Sequence, residues 1–352
     1  MEKKVVSVGP VTSINSLVYY LSSQFSEIRN DYVHGRRPIF SFDFSDMRGR
    51  SISLPALASL LSVGKKLKDF IGYPIPVEMK WDPQVIAILT DSHFIPIAKK
   101  LNIFSFSSEF DGTIRMNNEF LNPNTRLLYF GDVKPISDIP PEQIGIEKAI
   151  HKQKIISNLR VRCANIFKGF DDSLENTLYN TLLELIVNSL MHAQEFAFVA
   201  LQRTSKSISI SVSDAGIGFR KSLYQTFKVP NFKEMSDAQA IFIGSLIQKD
   251  IHGLRLAIEE VLNFDSESID DTNEGWVTVS SYDAEIRWQK KAWRKAIKYF
   301  DQIDIKEEKP DLVKVFGGPL EKFVEKQIIE EGYFRTYDHF LIGTRISFEI
   351  RF

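Results

Sequence analysis

Between residues 181 and 194 the chain reads TLLELIVNSLMHAQ, and Glu184, Asn188 and His192 recur at every fourth position. Four residues of α-helix turn through about 400°, so each step drifts by only about 40°. The three polar side chains therefore share one helix face, while Leu182, Leu185, Ile186, Leu190 and Ala193 fill the others. A helix this apolar is expected to be mostly buried, and a buried polar row needs partners. Either the protein satisfies it or it lines a ligand site.

A second polar constellation follows within about twenty residues. Ser207 to Ser213 alternates serine with isoleucine and valine, the period of a half-buried strand. The strand is expected to end at Asp214, where Asp-Ala-Gly-Ile-Gly begins. A carboxylate at a strand end can accept a hydrogen bond from an exocyclic amine, a charge-assisted contact worth roughly 1.5–3 kcal/mol. Gly216 and Gly218 allow positive φ and let a ligand approach the backbone closely.

Helix, strand and DAGIG in this order resemble the Bergerat ATP-binding fold of the GHKL superfamily, which includes gyrase, histidine kinases and MutL. The resemblance spans roughly residues 150–352. It implies that Asn188 coordinates Mg²⁺, that Asp214 binds the adenine amino group, and that Glu184 acts as general base toward water or a substrate hydroxyl. His192 takes the last polar position of the helix motif, near the phosphates, and Gly216 and Gly218 match the first glycine box. HGLRLAIEEV, residues 252–261, is similar to the second glycine box: Gly253 and Leu254 match, Leu256 is in register, and His252 and Arg255 stand where glycine is usual. A glycine-rich turn brings backbone N–H groups to phosphates at a helix N-terminus. Arg255 could supply charge in their place or be a solvated surface residue. The closing segment GTRISFEIRF resembles the last strand of the same domain, with Gly343 and Thr344 matching.

These motifs need elements to hold them. In the N-terminal part, Val5–Val8, Ile39–Phe44 and Ile75–Trp81 read as strands. Helices are expected over about residues 13–32 and 54–70, with another beginning at Pro83 in its favoured first-turn position. Strand and helix alternation means an α/β unit. Over residues 1–110 the pattern resembles a STAS domain, the anti-sigma-factor-antagonist fold. That resemblance implies a phosphorylation switch at Ser53, a residue that could equally cap the following helix. Residues 111–141 read as a linker with a hairpin-like piece around 113–130, closed by Pro140 and Pro141. A helix over about 142–167 could pack on the ATP-binding half or form a homodimer seam, and His151 on it reads as a surface residue. The stretch between Gly218 and Gly253 would be an ATP lid, with a mobile portion near Pro230 and a helix from Ala238 to Gln248. Residues 265–274 read as an acidic turn, 276–288 as one or two strands, and the basic run 287–300 as an exposed strand end.

The expected fold class is thus α/β (α+β): a STAS-like domain over 1–110, a linker over 111–141, and a Bergerat α/β sandwich over 142–352. The 352 residues are 43% hydrophobic and 25% charged, as in a folded globular protein. A net charge of −1 gives no global drive toward nucleic acid or anionic membrane. The basic run 287–300 is neutralised by the adjacent DIKEEKPD, so a nucleic-acid partner is not expected. No run of 18 apolar residues exists, so no membrane span is expected. Cys163 is the single cysteine; a small buried hydrophobe and a reducing, cytoplasmic setting are expected. The function implied is regulatory. ATP and Mg²⁺ would control a protein partner, through hydrolysis or phosphoryl transfer to a partner serine. The alternative is an ATP-sensing interaction module without turnover.

Overall fold

In the first part of the chain strand and helix alternate: β1 (Lys3–Ser7), α1 (Ile14–Val33), β2 (Ile39–Asp43), α2 (Leu54–Ile71), β3 (Ile75–Glu78), α3 (Pro83–Asp91), α4 (Phe94–Lys100) and β4 (Phe104–Ser105). The structure is a computed structural model that describes residues 3–36, 39–107, 124–131, 139–193, 195–227, 234–247, 253–263, 275–300 and 333–351. The four strands pair in sequence order, β1-β2-β3-β4, all parallel. Local chemistry sets the helix ends. Asp82 accepts from the amides of Gln84 and Val85 at the start of α3, and Gly72 closes α2 at φ 85°. Ser53 is the N-cap of α2 and accepts from the Ala56 amide at 3.4 Å.

The second part contains β5 (Thr125–Phe130), α5 (Ile144–Phe167), α6 (Asp172–Asn188), a π-turn (Ser189–Ala193), β6 (Ala197–Arg203) and β7 (Ser207–Asp214). Then come α7 (Gly218–Phe227), α8 (Asp237–Leu246), α9 (Leu254–Asn263), β8 (Trp276–Gln289), α10 (Lys290–Phe300) and β9 (Tyr333–Arg351). The strands form one antiparallel sheet in the order β5-β6-β7-β9-β8. A parallel and an antiparallel sheet with helices on both make the fold α+β.

Alternation along the strands assigns the faces of the antiparallel sheet. Val199, Leu201, Ile208, Ile210 and Val212 bury against α5, α6, α8 and α9. Phe198 and Ala200 turn the other way, into the core shared with the parallel-sheet part. On that back face α2 meets β6 and β7. Residues 56–64 of α2 are buried without a break, so the first half of this helix is enclosed rather than amphipathic. Its approach needs small side chains: Ser59 Oγ lies 3.1 Å from Ser213 Oγ, and Ser213 and Ser211 are fully buried. Lys66 also pairs with Glu195 across this contact.

The structure departs from the sequence reading in several places. Part of the stretch read as linker is β5, which pairs with β6 from Thr125↔Gln202 to Phe130↔Ala197. Residues 290–300 form α10 rather than a strand end: Trp293, Ala296 and Ile297 recur at helical spacing and the first two are buried. Between Gly218 and Gly253 the expected helix is present as α8, and α7 precedes it. α5 packs on α6 through Ile155, Leu159, Cys163 and Ile166. The hairpin segment 113–123, the lid portion 228–233, His252 and the acidic turn 265–274 lie outside the described residues.

Ser59→Leu places a larger side chain between α2 and β7, and overpacking of this kind costs about 1–3 kcal/mol. Urea unfolding should show that loss, with Ser59→Ala losing less. Equal stability of Ser59→Leu and the native chain would mean that α2 does not seat on β7.

Candidate functional site

At the end of β7 the carboxylate of Asp214 is 2% exposed, yet it lines a cleft. Its Oδ1 accepts from the backbone amides of Gly216 at 3.0 Å and Thr344 at 3.2 Å, and the Ser189 hydroxyl lies beside the carboxylate. Two glycines make this possible. A Cβ on Gly343, at φ 95°, would stand 1.9 Å from the Asp214 carbonyl oxygen, so only glycine lets β9 pass this tightly. A Cβ on Gly216 would stand 2.3 Å from the carbonyl oxygen of Ala193, so the turn after β7 can press against the π-turn only without one.

Burial pushes the Asp214 carboxyl up, and the amides of Gly216 and Thr344, Ser189 and the nearby Arg345 guanidinium offset part of the rise; the result is about 6. Arg345 is itself buried. It donates to the carbonyls of Leu341 at 3.3 Å and Ile342 at 2.6 Å, and burial lowers it to about 10 against the pull of Asp214.

The cleft has a volume of about 180 Å³. α6 and the π-turn give it Asn188, Ser189 and His192. The start of α7 gives Gly218 and Phe219, and Gly253 and Leu254 precede and begin α9. Thr344 of β9 completes the wall beside Asp214. The π-turn widens the end of α6, a feature often found at functional sites. It lets Ser189 reach Asp214 while Asn188 and His192 still face the cleft. Among the described residues none hydrogen-bonds the Asn188 side chain. No group of three or more His, Cys, Asp or Glu side chains among them is placed to hold a metal ion.

Most of the residues singled out in the sequence therefore converge: Asn188, His192, Asp214, Gly218, Gly253, Leu254 and Thr344 all line one cleft. Gly216 lies just beneath it, under Ala193. Three others do not join them. Arg255 turns back along α9, donating to Glu259 at 3.0 Å and to the Leu246 carbonyl at 3.4 Å, because an acidic partner one helical turn away satisfies it locally. Ser53 caps α2 in the other half of the chain. Glu184 is buried beside the cleft and held by two lysines of α5, Lys148 at 2.8 Å and Lys152 at 2.5 Å. Burial alone would raise its carboxyl, but the charges and hydrogen bonds of Lys148 and Lys152 outweigh that and hold it below the usual range.

The sequence reading missed Lys148, Lys152, Ser189 and Arg345. Lys148 also lines the cleft and brings a cation to it. The two lysines are one turn apart on α5, the one signal that they could act as a pair. No family model, curated protein or solved structure matches the chain.

Asp214 holds its proton more tightly folded than unfolded, since its carboxyl rises from 3.8 to about 6. That stabilisation is complete below its ordinary value and is lost as pH rises through about 6. Asp237 is also pushed up to about 6 by burial, so the comparison needs a variant. Asp214→Asn does not titrate, and its stability relative to the native chain should rise between about pH 4 and pH 7 in urea unfolding at each pH. A flat difference would mean that Asp214 is solvated in the folded chain.

Proposed function

We propose that this chain is an ATP- and Mg²⁺-binding regulatory protein of the GHKL type, acting in the cytoplasm, whose nucleotide state controls a protein partner. The observation that carries the reading is the Asp214 carboxylate, buried at a strand end, fixed by two backbone amides and facing a cleft. Such a group is an acceptor set in advance for an exocyclic amine, and its low-dielectric setting strengthens the contact. The about 180 Å³ of open space beside it is below the range of roughly 300–1,000 Å³ usual for whole-ligand pockets and suits a ring more than a complete nucleotide. Phosphates would then extend toward the mouth, where the start of α9 presents backbone N–H groups and Lys148 a cation.

Asn188 fits the metal. Its side chain faces the cleft with no hydrogen bond from the described residues, so its carboxamide oxygen is available to a hard cation. Phosphate oxygens and water would complete the coordination. Bound there, Mg²⁺ would neutralise charge on the phosphates. His192, one turn on, would face the same group.

Glu184 bears on the choice between turnover and sensing. As general base it would take a proton from water or from a partner serine. Two ammonium groups occupy its oxygens and stabilise its ionised form, which weakens it as a base. That pairing favours the second reading, a module that binds ATP and signals without turning it over.

Calorimetry with ATP and with inosine triphosphate, which lacks the 6-amino group, tests the binding reading. Asp214→Asn should lose about tenfold or more for ATP and much less for inosine triphosphate. Equal losses would mean that Asp214 does not read the base. Phosphate release separates the two readings of Glu184. Turnover that falls about 10²–10⁴-fold in Glu184→Gln establishes catalysis, and its absence in the native chain establishes the sensor.

A further inference from the structure

Helix α5 faces two cavities. Lys148 and Lys152 turn toward Glu184, and Lys148 lines the cleft. His151, Lys154, Asn158 and Arg162, spaced three to four residues apart, line a separate cavity of about 540 Å³ that shares no lining residue with the cleft. Lys100 at the end of α4 and Tyr129 of β5 form its opposite wall. The cavity thus lies where the parallel-sheet part, the edge strand β5 and α5 meet.

Its charge is one-sided. Three cationic side chains line it, and among the described residues no carboxylate pairs with Lys100, Lys154 or Arg162. Arg162 is fixed in place: its Nη1 donates to the Tyr129 carbonyl at 3.1 Å, and its guanidinium lies 5.7 Å from the Tyr129 ring centre and 5.4 Å from that of Phe130. Lys100 Nζ stands 5.5 Å from the centre of the same Tyr129 ring. These rings hold Lys100 and Arg162 and leave the remaining guanidinium N–H groups available. His151, expected at the surface, is 9% exposed, and its Nε2 has no hydrogen-bond partner. The Glu147 carboxylate is 3.8 Å from that nitrogen, beyond hydrogen-bond reach. Arg126, whose charge acts on Arg162, keeps a buried Nε without a partner.

A buried imidazole nitrogen without a partner is costly unless a ligand answers it, and three cations that no carboxylate of the described residues pairs gather at the same hollow. We propose that this cavity binds a small phosphorylated ligand, whose phosphate is held by Arg162, Lys100 and Lys154, with His151 and Asn158 making the remaining hydrogen bonds. A guanidinium fork matches phosphate oxygens in pairs, and two lysines add point charge. The field has a second witness: burial, and then the charges of Arg126 and Arg162, lower His93 to about 4. Since α5 is the common wall, a ligand here would be felt through the same helix that fixes Glu184.

Calorimetry with inorganic pyrophosphate on the full chain tests the site. We expect salt-sensitive binding that weakens about tenfold or more in Arg162→Gln and in the double variant Lys100→Gln/Lys154→Gln, and that is unchanged in Asn188→Ala. The two lysines are exposed, so the double variant keeps the test should Arg162→Gln fail to fold. Absence of pyrophosphate binding, or binding that the double variant leaves intact, would overturn the proposal. Loss in Asn188→Ala alone would assign the anion to the Asp214 cleft instead. Stronger capture of a single-stranded oligonucleotide than of pyrophosphate would overturn the small-ligand assignment. Failure of ATP to bind the cleft would leave these outcomes unchanged.

Discussion

A carboxylate buried at the end of a strand is unfavourable unless its surroundings replace water. Asp214 is such a group, and much of the second half of the chain is arranged around it. Gly343 lets β9 pass close enough for the Thr344 amide to reach it, and Gly216 folds the following turn under Ala193. The π-turn brings Ser189 to it, and Arg345 contributes charge from the sheet. Burial still outweighs all four and raises the carboxyl to about 6. Asp214 is kept at that cost in the wall of a cleft.

α5 carries the second organising constraint. Glu184 is buried between Lys148 and Lys152, whose charges and hydrogen bonds offset the cost of its desolvation; removing Glu184 leaves two partly buried ammonium groups without their carboxylate. The triad fixes α5 against α6, and α5 in turn shapes the cavity on its other side. On the far face of the antiparallel sheet the enclosed helix α2 contacts β7, whose end carries Asp214. Changes at either the cleft or the parallel-sheet part thus have a packed route to the other through Ser59 and Ser213.

Much of this was legible in the residues themselves. The two-residue period of β7, its end at Asp214, the glycines after it and the capped starts of α2 and α3 are local signals, and each element formed where its signal stood. What the sequence hid is long-range. β5 pairs with a strand more than sixty residues on, and nothing within Thr125–Phe130 names that partner. The lysines that hold Glu184 lie 32 and 36 residues before it. The four-residue spacing of Glu184, Asn188 and His192 suggested one shared face. The structure keeps Asn188 and His192 on the cleft and holds Glu184 beside it on Lys148 and Lys152, partners that the spacing does not name. Arg345 sits in an alternating strand whose pattern alone does not mark a buried charge.

The central claim is that Asp214 reads an adenine ring in the cleft. A crystal structure of the chain with ATP and Mg²⁺ addresses it most directly. The account expects the 6-amino group within hydrogen-bond range of the Asp214 carboxylate, about 2.7–3.2 Å, and the metal on Asn188 at about 2.0–2.1 Å. A nucleotide bound elsewhere, or one whose ring leaves Asp214 without a contact while the cleft stays closed, would contradict it.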